Sequence, residues 1–374
     1  MQRTSHRFLQ IRKTVFVCML VCFIGFNATS VPIAPLSVDR LIYDSDYVAV
    51  LKINAVSETG RGVVRIGERE IPAARRSAQC TMLRPIKGSL PVALTVDFFV
   101  AFEGIGYRGI TANTTRIVFL KKTKNSFGFT NPHYPSLPAS NAETSLKSTV
   151  ETELSEVAKS ESYSVGDRVT AIEALRTMQI AGVTETLKYV FATARPDPVR
   201  LTAAQALLIR NDVTPLPEVT GVLMGKRPVE VPTYMVRNLS AAIETGLRNE
   251  AAIPELEKLV VSPEADVSRA AATALRNTAS KKAMIGLVRA LSSPNLETRY
   301  FGVIGLGEIN ADTEWRPIWE DFASKPDKYV DHWRSWAAEN RIANTLHPRP
   351  DITHSSTQLE LKSPPHRRAF LPLR

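Results

Sequence analysis

Val199-Arg200-Leu201-Thr202-Ala203-Ala204-Gln205-Ala206-Leu207 is the phrase that decides how this chain of 374 residues is read. It returns as Val267-Ser268-Arg269-Ala270-Ala271-Ala272-Thr273-Ala274-Leu275 and as Thr298-Arg299-Tyr300-Phe301-Gly302-Val303-Ile304-Gly305-Leu306, with a weaker copy ending at Ala174-Leu175. The closing leucines lie 32, 68 and 31 residues apart, so the long interval holds two units, with a degenerate copy near Val236 to Ile243. A period of this size marks a stack of helical units, none of which buries its apolar face alone.

The small residues have a physical purpose. Ala203, Ala206, Ala271, Ala274, Gly302 and Gly305 make narrow positions that let a neighbouring helix approach, while Leu207, Leu275 and Leu306 fill the space between units. Each phrase is followed by a more ordinary second helix, expected over 184–194, 216–224, 253–261, 281–291 and 315–323. Pro196, Pro198, Pro263 and Pro294 stand where helices should stop. The repeats are expected over 165–340. A linker and a capping helix precede them over 139–164, where Leu146, Val150, Leu154 and Val157 recur at helical spacing.

Upstream the period changes. After a short opening helix around Val38 to Tyr43, strands are expected from Tyr47 to Ile53, from Cys80 to Leu83, from Thr95 to Val100, from Arg116 to Leu120 and from Ser126 to Phe129. Such short strands predict a small antiparallel sheet that curves into a barrel-like domain of OB type over 31–138, because open edges must be closed or covered. The arginine-rich stretch Gly60 to Arg76 and the Gly104 to Thr115 segment read as surface excursions, the first as a loop in preference to a hairpin. The prolines of Asn131 to Pro138 exclude a helix or a central strand and end the domain. The fold class is therefore α+β and multidomain: a strand-rich module followed by an all-α superhelix.

Residues 1–30 read as an export signal. Arg3, Arg7, Arg12 and Lys13 precede an apolar run from Thr14 to Phe26, and Ala28-Thr29-Ser30 offers a cleavage site. Beyond that segment only Cys80 remains of the three cysteines, so no disulfide framework is expected, and Cys80 reads as a small buried hydrophobe. The formal charge of +10 is terminal: +4 in residues 1–30 and +4 in the Pro-, Ser- and His-rich tail over 341–374, which is expected to be disordered. A body of +2 gives no footprint for nucleic acid.

On these phrases the chain resembles HEAT-repeat proteins, specifically the short alanine-rich repeats associated with phycobilisome lyases. The signal, strand module and solenoid together resemble exported bacterial proteins of uncharacterised function. The resemblance implies a right-handed superhelix whose second helices line a concave face, and a scaffolding or binding role. The metal-dependent hydroxylases of the family need His-Glu pairs, and between Val165 and Asn340 the only histidine is His332. Bilin lyase activity is cytosolic work, at odds with export.

No catalytic residue, metal ligand or cofactor is predicted. The chain has no Gly-x-Ser-x-Gly elbow, no His-Glu-x-x-His and no phosphate loop. Arg200, Arg237, Arg269 and Arg299 form a ladder at the start of the repeats, read as stacking residues with Asp197, Asp266 and Glu297 as partners. Trp315, Trp319, Trp333 and Trp336 gather at the C-terminal end with Tyr329 among them, as a cap on the solenoid or as a binding anchor. The expected function is that of a non-enzymatic adaptor, exported to a bacterial periplasm or beyond, that binds a protein or peptide through the solenoid. After signal cleavage it would have no stable membrane insertion. The alternatives are an envelope enzyme with a site in the cleft between the strand domain and the solenoid, and ligand or inhibitor-type binding by the strand domain alone.

Overall fold

A computed structural model describes residues 37–66, 69–102, 109–124, 126–140, 149–340 and 342. The export-signal reading of 1–30, the tail from 343, Leu146 of the capping helix and the Gly104 to Arg108 part of the excursion lie outside the described residues. The chain is α+β and divides into two compact units, one ending at Glu255 and the other beginning at Leu256.

In the first unit, α1 (Val38–Asp44) starts on Ser37, whose hydroxyl accepts from the Arg40 amide. Six strands follow: β1 (Tyr47–Ile66), β2 (Arg69–Lys87), β3 (Ala93–Ala101), β4 (Thr114–Lys122), β5 (Phe127–Phe129) and β6 (Ser136–Pro138). β1 pairs with both β2 and β4, β2 pairs with β3, and β5 lies between β3 and β4, so the pairings return to β1. The expected antiparallel sheet needs one correction. β5 slots in beside β3 running the same way, pairing Phe127 with Val96 and Gly128 with Asp97 in parallel, because the chain reaches it after reversing through β4. β6 adds to β4 through Arg116 to Val118, which places Pro138 on an edge strand where its missing N–H costs nothing.

Gly60 to Arg76 is no loop. β1 and β2 pair continuously from Val48–Lys87 to Ile66–Arg69, through several bulges, and β3 joins the ribbon as far as Ala73–Ala101. At the other end of β2, Gly88 turns the chain with φ +74, and a Cβ there would stand 2.7 Å from the Tyr47 ring.

Period 2 on β1 and β4 separates two cores. Ala49, Leu51, Ile53, Val118 and Leu120 face inward with Cys80, Leu94, Val96 and Phe98. Val48, Val50, Ile117 and Phe119 face the helices, sharing a core with Leu41, Leu154, Ile172, Leu175, Leu187 and Leu207. Since both faces are buried there, the chain is continuously apolar from Val48 to Leu51 in β1 and from Ile117 to Leu120 in β4. Burial pushes the Cys80 thiol up to about 12, so it is inert filler in the inner core.

The helices of this unit are α2 (Val150–Lys159), α3 (Val165–Arg176), α4 (Ala181–Thr193), α5 (Asp197–Ile209), α6 (Leu216–Leu223) and α7 (Thr233–Gly246). α8 (Ile253–Leu259) leads into the second unit, which holds α9 (Ala265–Asn277), α10 (Met284–Ala290), α11 (Leu296–Ile309), α12 (Trp319–Ser324) and α13 (Pro326–Glu339). The sequence phrases fall in one register: each begins at the third residue of its helix, at Val199 in α5, Val267 in α9 and Thr298 in α11. The weak copies keep that register in α3 and α7. Their closing residues Leu175, Leu207, Ile243, Leu275 and Leu306 are at most 1% exposed.

Small residues set the helix spacing, most severely at Gly246, where a Cβ would lie 2.2 Å from the Leu208 carbonyl oxygen. The turns after α5, α9 and α11 share another device, a left-handed residue two positions past the helix: Asn211 (φ 62), Ala279 (φ 49) and Ala311 (φ 55). Asparagine tolerates that conformation, but alanine is strained in it. Ala279→Gly and Ala311→Gly are therefore expected to stabilise the protein by about 0.5–1 kcal/mol each, read as a higher denaturation midpoint in urea. A lower midpoint for both would contradict the strain argument.

Candidate functional site

Aromatic residues dominate the end of the second unit, and the structure sorts them into interior and surface. Trp333 on α13 is buried (1% exposed), and its indole N–H donates to the Trp315 carbonyl at 3.1 Å. Trp336 sits edge-on to Trp333, with ring centroids 5.3 Å apart. Trp315 and Trp319 do not share a helix face. Asp312 accepts the backbone amides of Glu314 and Trp315 in a turn, and α12 starts only at Trp319, after Pro317. In that turn Trp315 stacks on His332, with centroids 3.8 Å apart and planes 4° from parallel, while Lys328 lies over both Trp315 and Tyr329. Trp315, Tyr329 and Trp336 are half-buried and pack with the buried Trp333 in one aromatic cluster.

Trp319 differs. It is 37% exposed beside Ile318, which is 62% exposed. Its ring meets Tyr300 of α11 edge-on at 5.3 Å, and Tyr300 in turn rests on the buried Phe322. Tyr300, Phe301 and Trp319 line a shallow hollow of about 280 Å³ with Arg269 and Glu297, which pair across its rim at 3.2 Å. Partial burial raises the Tyr300 phenol above its ordinary range, which keeps it a neutral donor and acceptor. The hollow offers apolar rings, one phenol and a paired rim. That mix of apolar rings with a few polar groups is the chemistry of a side-chain-binding surface.

Tyr300 and Phe301 were not singled out in the sequence, although a signal existed. They follow Arg299 where the other phrases carry Leu201-Thr202 and Ala270-Ala271, so two large rings replace smaller side chains at equivalent positions.

The arginine ladder is uneven. Arg200 pairs with Asp197 and, at 3.2 Å, with Glu218, and Arg227 joins both carboxylates. Partial burial raises the Glu218 carboxyl despite Arg200 nearby. Arg269 links α9 to α11 through Glu297 and also approaches Asp266 at 3.8 Å. Arg299 comes no closer than 3.9 Å to an exposed Asp327, and Arg237 is exposed on α7 with no ion pair among the described residues. The inter-helix clamp that carries two full hydrogen bonds is Arg276 to Glu308, at 2.6 and 2.7 Å.

Among the described residues no group of three or more His, Cys, Asp or Glu side chains is placed to hold a metal ion, and no helix is long and apolar enough to cross a membrane. Compared with protein-family models and with curated proteins, the chain matches none.

Proposed function

We propose that this protein is an exported, non-enzymatic adaptor that binds a protein or peptide through a HEAT-like repeat region, with an OB-type barrel as its N-terminal module. The observation that carries the binding reading is the Tyr300–Phe301–Trp319 hollow, where an exposed tryptophan packs on the half-buried Tyr300, which rests in turn on the buried Phe322. Tryptophan and tyrosine so placed supply large contact area at little conformational cost, as at interface hot spots. Supporting the repeat reading is the shared register of α3, α5, α7, α9 and α11. Supporting the barrel reading is the circuit of pairings through β1, β2, β3, β5 and β4. The export signal rests on the composition of residues 1–30.

The test is a crosslinking pulldown from the native envelope with the tagged chain from Val31 onward, beside Trp319→Ala, each checked for folding by circular dichroism. A specific protein should be retained by the parent and reduced about tenfold by the variant. Equal retention by both, or no retained protein, would overturn the assignment of this surface.

A further inference from the structure

Three aromatic rings of the second unit line one hollow at steep angles to one another. Tyr300 of α11 meets Trp319, the first residue of α12, with planes 82° apart and centroids at 5.3 Å, and meets its neighbour Phe301 at 58° and 5.6 Å. Rings set this way make a corner with apolar walls in place of a flat platform. The hollow's volume, about 280 Å³, lies just under the roughly 300–1,000 Å³ of ordinary ligand cavities. So small a hollow covers little of a ligand, and a flexible chain ordered on it would gain too little to offset its lost conformational freedom. The ligand that suits it is rigid before it binds.

The rim narrows the chemistry. Arg269 and Glu297 pair across it at 3.2 Å, so their charges compensate. A charged side chain entering the hollow would compete for one member of this pair and face the other at close range, whereas a neutral group leaves the pair intact. Hydrogen-bonding capacity points the same way. Of the five lining side chains, Arg269 and Trp319 are donors only, Tyr300 is donor and acceptor, Phe301 is neither, and the single carboxylate, Glu297, already accepts from Arg269. A lining rich in donors matches a backbone that keeps its carbonyls and has few N–H groups.

A proline-rich strand combines these properties. Polyproline II is extended and preformed, its pyrrolidine rings are neutral and apolar, and each proline keeps the C=O while lacking the N–H. Aromatic-lined surfaces take such segments for these reasons. We propose that the hollow binds a proline-rich segment in polyproline II form, one prolyl ring seated in the corner that the Trp319 and Tyr300 rings make. The proposal rests on the adaptor reading above and names the kind of partner segment that this surface takes.

Calorimetric titration tests it with two decapeptides blocked at both ends: decaproline, and the flexible Gly-Ser-Gly-Leu-Gly-Ser-Gly-Leu-Gly-Ser, which offers apolar side chains without a preformed backbone. Each is titrated into the full chain, into Trp319→Ala and into Tyr234→Ala, which removes an exposed ring on α7 in the first unit. Decaproline should bind with a Kd below about 1 mM and at least about tenfold more tightly than the leucine peptide. Trp319→Ala should lose about tenfold in affinity for it, while Tyr234→Ala keeps it. No binding of decaproline up to about 5 mM would overturn the inference. So would equal affinity for the two peptides, or unchanged affinity in a folded Trp319→Ala protein. Should that variant fail to fold, Trp319→Leu, which keeps an apolar side chain but not the ring, is read in the same way. The pulldown separates the two failures. A protein retained through Trp319 beside a negative decaproline titration overturns the ligand class alone, and failure of both overturns the surface as well.

Discussion

Replacing Glu153 with alanine should cost about 3–5 kcal/mol, the loss expected when one partner of a buried ion pair is removed. Glu153 of α2 is almost wholly enclosed, its side chain 1% exposed, and Arg84 of β2 reaches it with Nε at 2.7 Å and a terminal nitrogen at 2.8 Å. The same carboxylate accepts the Ser140 backbone N–H at 2.8 Å, and Arg84 donates to the Ser140 carbonyl at 2.7 Å. One buried cluster therefore joins β2 and the Ser140 backbone to α2. Alanine leaves the Arg84 charge and the Ser140 amide without that acceptor. The check is urea unfolding of the parent, of Glu153→Ala, of Arg84→Met and of the double variant Arg84→Met with Glu153→Leu. The double variant should lose clearly less than the sum of the two singles, because no buried charge is then left uncompensated. A loss under about 1 kcal/mol for Glu153→Ala would mean that the cluster behaves as a surface pair.

Trp333→Ala should destabilise the second unit by about 3–5 kcal/mol, while Trp319→Ala should cost under about 1 kcal/mol. The two differ in surroundings, not in chemistry. Trp333 is 1% exposed, contacts the His332 and Trp336 rings and uses its indole N–H on the Trp315 carbonyl, whereas Trp319 keeps 37% of its surface in water. Thermal denaturation followed by tryptophan fluorescence and by circular dichroism separates them, and comparable losses for both would refute the division between interior and surface. The difference also determines which variant can report on binding. Loss of a partner in Trp333→Ala reports unfolding, and only a loss in Trp319→Ala bears on the proposed surface.

Much of the helical region was legible because its signal is repeated. The weak copies in α3 and α7 were recoverable from spacing once the clear copies in α5, α9 and α11 had set the period. The short second helices were less so. Lys281 to Ala283 forms a 3₁₀ turn ahead of α10, and Trp315 stands outside α12, since local hydrogen bonds at Ser280 and Asp312 compete with the α-helical pattern. The β1–β2 ribbon was read as loop because its distal half carries Arg61, Arg65, Arg75 and Arg76 together with Gly60 and Gly62, which weaken the alternating apolar pattern. A ribbon that is largely solvated needs few apolar residues, so its sequence resembles a surface segment.

By itself, the sequence determined the α+β class, the order of strand module and helices, the repeat period, the inert character of Cys80 and the near-neutral body. These are properties of composition and periodicity, which act over a few residues or recur along the chain. Tertiary structure alone decided that β5 runs parallel to β3, that Val48 to Leu51 of β1 and Ile117 to Leu120 of β4 are buried on both faces, and that Trp333 is interior while Trp319 is surface. Each of these depends on which distant segments come together. The free energy of burial and of pairing belongs to that contact and to no single stretch of chain.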